Sequence, residues 1–298
     1  MPSLLEPIHA LTETVLNQPD DLDGALVALE QWFDEYADDL TETERRDFSA
    51  SLDVESTNDD RSLIDSVLKL HMTRLLYRYD RAHSHAPVPA QNDYTRARAA
   101  FTGALEQSED VINESRIDIA IANAHHLLGN PAANRRWLDR ALDRLLPLAS
   151  TPLIKLAEDI PAMPIPRLTP LKRLGLKFMG FNFERLDQEN RDSMVAIARM
   201  QIDQIITLAH LLGSSFEVIR ERQRAQRAFR VAAHLIVRYH GMRTHDPDQL
   251  LSVAQSLQRA EPEAARVLAE QARDLSAQAH DADGVARADA LLNEVDVP

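Results

Sequence analysis

Two Asp/Glu-x-x-His spacings, Glu6 with His9 and Asp80 with His83, are the nearest this chain comes to a helix-borne metal site. A helix would present such a pair on one face, and a divalent ion would need further ligands of the same kind. The eleven histidines supply no His-x-x-x-His, and the two pairs lie far apart in sequence. His83 and His85 fall in a proline-flanked stretch. His125 and His126 are adjacent, so on a helix they point about 100° apart and cannot chelate together. They are expected to divide into one packing residue and one groove residue. No metal and no cofactor is expected.

Catalytic patterns are also absent from the sequence. Gly175 and Gly180 have the outer spacing of a phosphate-binding loop, but Phe181-Asn182 stands where Lys-Ser/Thr is required. There is no His-Glu-x-x-His, no Gly-x-Ser-x-Gly and no nucleophile beside an evident base. Carboxylate pairs are everywhere among 47 acidic residues, so they single out no site. The chain is expected not to be an enzyme, and no catalytic residue is assigned.

Basic residues are distributed more tellingly. The net charge is −14, yet residues 167–240 carry 13 Lys+Arg against 7 Asp+Glu, leaving the remainder at −20. Arg220, Arg224 and Arg227 follow i, i+4, i+7 and would form one helical stripe, extended by Arg230. Such a stripe either faces an acidic partner, RNA or anionic lipid, or pairs with carboxylates of its own chain. Internal pairing is the preferred reading, since exposed ion pairs form readily. The segment 171–186, LKRLGLKFMGFNFERL, mixes Lys172, Arg173 and Lys177 with three Phe. It reads as a core plug before an interfacial membrane helix, because Pro170, Gly175 and Gly180 interrupt a regular amphipathic helix.

The elements that must position these residues are helical. Apolar residues make up 44% of 298, Gly is rare at 8, and period-2 alternation is absent. Helices are predicted near 3–17, 21–37, 42–53, 60–82, 93–108, 111–128 and 131–148. Thr41 with Glu44 predicts a capping box, Asp93 an N-cap, and Pro131 a first helical position. The segment 83–92 reads as a loop. Five prolines between 152 and 170 mark a connector or strap. Two long helices follow near 188–212 and 215–240, with Gly213 closing the first and Ser214/Glu217 boxing the start of the second. Three more are predicted near 247–260, 263–279 and 283–295. No cysteine is present, so disulfides are excluded. The N-terminus lacks a signal-peptide pattern. The stretch 194–212 contains Arg199, Gln201, Asp203 and Gln204, which argues against a membrane span. A cytoplasmic location is expected.

Three segments share a ladder of small residues. In 93–107 it runs through Ala97, Phe101 and Ala104; in 129–142 through Leu138, Ala141 and Leu142; in 262–272 through Ala265, Ala269 and Ala272. Small side chains at helical spacing let a second helix approach closely. The pattern resembles the second helix of tetratricopeptide repeats (TPR), which pair two helices in about 34 residues. Ala25 and Leu29 make a weaker match, with Trp32 where alanine is usual. The resemblance covers about half the chain by rough count and leaves 150–240 outside it. It implies an all-α fold of TPR-like antiparallel helix hairpins stacked as an α-α superhelix. It also implies recognition of a peptide on first-helix faces. In 111–128 those positions are Arg116, Ile119, Asn123, His126 and Leu127.

The expected organisation is a TPR-like lobe over 1–149, a proline-rich connector over 150–170, and a C-terminal lobe over 171–298. That last lobe holds a long helical hairpin and a TPR-like hairpin near 247–279. The expected function is a non-catalytic scaffold or adaptor that binds a protein or peptide through Arg116, Asn123 and His126. The alternative is an RNA or membrane binder that uses the 167–240 region through Arg220, Arg224 and Arg227. A helical enzyme or metal protein is the weaker alternative.

Overall fold

The computed structural model describes residues 6–52, 60–84, 93–150, 183–238, 246–258 and 261–295. Among them there are eleven α-helices and no strand. In chain order they are α1 (Glu6–Asn17), α2 (Leu22–Tyr36), α3 (Glu42–Ser51), α4 (Asp60–Ser84), α5 (Asp93–Leu127), α6 (Pro131–Leu145), α7 (Phe183–Val218), α8 (Arg222–Arg238), α9 (Pro247–Leu257), α10 (Pro262–Gln278) and α11 (Ala282–Val295). Short 3-10 turns lie at Pro19–Asp21, Ala37–Asp39 and Leu146–Ser150.

The chain divides into two compact units, neither continuous in sequence. The first comprises residues 1–88 and 116–140, the second 89–115 and 141–298. The proline-rich connector, the 83–92 loop beyond Ser84, and most of 171–186 lie outside the described residues.

In the first unit α1, α2 and α4 pack on one another. Leu22, Leu26, Leu29 and Phe33 recur at three or four residues along α2 and are all buried. Phe33 meets Phe48 of α3 at 5.9 Å and Tyr79 of α4 at 6.5 Å between ring centroids. Helix α3 is short and mostly polar, so its placement leans on directed bonds. The capping box forms: the Glu44 N–H donates to Thr41 Oγ1 (3.2 Å) and the Thr41 N–H donates to Glu44 Oε2 (3.0 Å). Arg45 donates to the Tyr79 hydroxyl at 2.8 Å.

The sequence predicts two helices over 93–128, whereas the structure has one, α5. Its buried side follows an unbroken seam of alternating three- and four-residue steps: Phe101, Leu105, Ser108, Ile112, Ser115 and Ile119. Gln107-Ser108-Glu109-Asp110 looks like a cap sequence, but no glycine or proline stops the backbone there. Ser108, 1% exposed, sits on the packed side. Helix α5 ends instead at Gly129 (φ 68°), where the Asn130 N–H donates to the His125 carbonyl and Gly129 N–H to that of His126. Pro131 opens α6 as expected.

The second unit is built around α7 and α8, with α8 packing on α9 and α10, and α10 on α11. The predicted boundary at Gly213 is wrong, because Gly213, Ser214 and Glu217 all lie inside α7. Gly213 acts through its missing side chain. A Cβ built there would lie 2.5 Å from Cε1 of the fully buried Phe229 on α8. Gly213→Ala is therefore expected to destabilise the second unit by about 2 kcal/mol, since an added methyl in a packed contact forces rearrangement. Chemical denaturation followed by far-UV circular dichroism reads this, and Phe229→Leu in the same chain should recover part of the loss.

Helix α7 stops at Ile219–Glu221. Arg220 takes φ 62°, the Glu221 N–H donates to the Phe216 carbonyl at 2.8 Å, and the Arg220 N–H donates to that of Glu217 at 2.9 Å. The same cap recurs after α10 with His280 at φ 58°. Both positions use a side-chain-bearing residue where glycine is the usual choice.

The small-residue ladder is placed in part. Ala141, Ala265, Ala269 and Ala272 are fully buried, Ala104 is half-buried, and the Ala97 side chain lies outside the described set.

Candidate functional site

Three places concentrate polar or apolar groups in a way packing alone does not require. The first lies inside the first unit. Arg74 of α4 donates to Asp118 of α5 at 3.0 Å, to Glu30 of α2 at 3.3 Å and to Nδ1 of His71 at 2.6 Å. Since His71 Nδ1 accepts, Nε2 carries the hydrogen, which it donates to the Leu26 carbonyl at 3.2 Å. His71 and Asp118 are fully buried and Arg74 is 3% exposed. Burial, reinforced by the Arg74 charge, pushes the His71 imidazole down to about 3. Burial pushes the Asp118 carboxyl up to about 6, although Arg140, Arg74 and Arg78 pull the other way. The Arg140 guanidinium lies 3.6 Å from Asp118. This cluster ties α2, α4, α5 and α6 together, and Arg74 Nε is buried in it without a hydrogen-bond partner.

A second cluster gathers on Asp23 of α2. Its carboxylate accepts from Trp137 Nε1 (2.9 Å), His125 Nε2 (3.1 Å) and Arg136 (2.5 Å). Burial alone would raise this carboxyl, but the bonds from Trp137 and Arg136 and the neighbouring positive charge hold it below its ordinary range. Burial pushes His125 down, against the pull of Asp23. Asp23 thus joins α2 to the α5–α6 turn. Nearby, the Asn134 amide donates to the Ala122 carbonyl at 2.7 Å, so the asparagine at the repeat pattern's alanine position serves as a helix-to-helix tie.

The third place is the outer face of α7. This helix carries two seams. The inner one, Val195, Ala198, Ile202, Ile205, Ala209, Leu212 and Phe216, is buried, and α7 packs on α8. The outer one, Ser193, Ile197, Met200, Gln204, Thr207, Leu211, Ser214 and Val218, has the same three–four spacing, on nearly the opposite side. No residue on the outer seam is charged. Ile197 is 41% exposed, Met200 53%, Leu211 44% and Val218 70%. By length and composition α7 could cross a membrane over Asp187–Val218, with half of its most apolar window buried. Two apolar faces on one rod account for that composition.

The residues singled out from the sequence are placed as follows. Arg116, Asn123 and His126 are exposed on α5, as is Leu127, whereas Ile119 is buried. Arg220 does not share a helix with Arg224 and Arg227. Helix α8 begins at Arg222, and the left-handed turn at Arg220 breaks the predicted stripe. Arg224 pairs with Glu221 at 2.8 Å and Arg230 with Glu261 at 2.6 Å, while Arg227 is exposed. Glu6 and His9 are exposed on α1, and no group of three or more potential metal ligands comes together among the described residues.

The outer seam of α7 was missed in the sequence. Its signal was present: a 26-residue run, 193–218, in which every third or fourth position is uncharged. Testing 194–212 only as a membrane span conceals it, because the inner and outer residues interleave. The chain matches no protein-family model, no curated protein and no solved structure.

Proposed function

We propose that this chain is a non-catalytic docking protein whose working surface is the outer face of α7, and that it receives an amphipathic helix from a protein partner. The observation that carries this reading is the second uncharged seam, with Ile197, Met200, Leu211 and Val218 each at least two-fifths exposed. A helix apolar on opposite sides is ordinarily enclosed on both. Large apolar side chains held in solvent along one helix face mark an interaction site. A partner helix with large apolar residues at i, i+3, i+4 and i+7 fits such a ridge.

The polar clusters support the same reading. Around Arg74 and Asp23 the hydrogen bonds run mainly from one helix to another. Arg224 and Arg230 are engaged by Glu221 and Glu261, which favours docking over an RNA- or lipid-binding stripe. Within this proposal the hairpins α5–α6 and α9–α10 act as TPR-like scaffold pairs. Arg116, Asn123 and His126 offer a secondary polar contact, and the setting is cytoplasmic.

A photo-crosslinking amino acid placed at Met200 or Leu211 tests the assignment in the native cell. A discrete protein adduct is expected from both positions and not from exposed Ala290 on α11. Adducts at Ala290 equal to those at Met200, or none from the α7 positions, would remove the assignment.

A further inference from the structure

We draw no further inference here: the strongest candidate, the surface patch of exposed Arg222, Arg227, Arg230 and His234 along α8, a helix without a carboxylate, carries nothing because Arg230 is paired with Glu261 at 2.6 Å and nothing in the structure shows what covers the others.

Discussion

Asp118→Asn is expected to destabilise the first unit by about 3–5 kcal/mol, the cost of leaving a buried charge without its partner. The amide keeps the shape and removes the charge. Arg74, 3% exposed, would then keep as its charged partner Glu30 at 3.3 Å, whose own side chain is 38% exposed, beside its bond to neutral His71. Water cannot reach the guanidinium to compensate. Both tryptophans of the chain, Trp32 and Trp137, belong to the first unit, so fluorescence-detected urea unfolding reports on this unit selectively. The pair as a whole is a different matter, because removing both charges also removes both desolvation costs. Arg74→Met with Asp118→Leu is expected to recover most of the stability that Asp118→Asn loses. A single variant within 1 kcal/mol of the native chain, on the order of what a surface change costs, would show that the pair is hydrated and carries little.

The native chain should gain stability relative to His71→Gln as pH rises from 4 to 6, by about 1.4 kcal/mol per pH unit. His71 is held at about 3 in the fold against an ordinary 6.5. Its folded value is depressed, so the unfolded chain binds the extra proton between those limits. The stabilising contribution is present in full above 6.5 and is lost as pH falls toward 3. Glutamine can keep both hydrogen bonds, to the Leu26 carbonyl and from Arg74, while adding no titration. Taking the difference between the two proteins cancels every other group, including Asp118, whose raised carboxyl works in the opposite direction. That contribution is present below 3.8 and lost as pH rises through about 6. Tryptophan-monitored urea titrations at pH 4, 5 and 6 measure the difference, and a flat difference would mean that His71 takes up its proton inside the fold.

These expectations depend on features of unequal legibility. Local signals were readable wherever the backbone itself decided the outcome. Thr41 with Glu44 capped α3 and Pro131 opened α6, each through bonds or dihedrals confined to a few neighbouring residues. Signals with two local solutions were misread. Gly213 serves equally as a helix terminator or as a notch for a neighbour, and only the position of Phe229 decides between them. Ser108-Glu109-Asp110 serves equally as a cap or as a helical turn, and the continuous buried seam of α5 decided for the turn. Arg220 fell out of its stripe because the close of α7 took the left-handed position there.

The sequence by itself determined that the described residues are helical, where most of their helices begin and end, and that Ala141, Ala265, Ala269 and Ala272 face inward. Those properties follow from propensity and from a periodicity of 3.6 residues, which are local. Tertiary structure alone decided which polar residues meet. Glu30, Arg74 and Asp118 are each separated by 44 residues or more along the chain, and Asp23 reaches Trp137 across 114. No spacing rule encodes such encounters. It also decided which seam of α7 is filled and which is open. Both have the same period, but the inner seam is apolar throughout and the outer carries Ser193, Gln204, Thr207 and Ser214 among its apolar residues. One is covered because α8 folds back upon it, and the other keeps its apolar side chains in solvent.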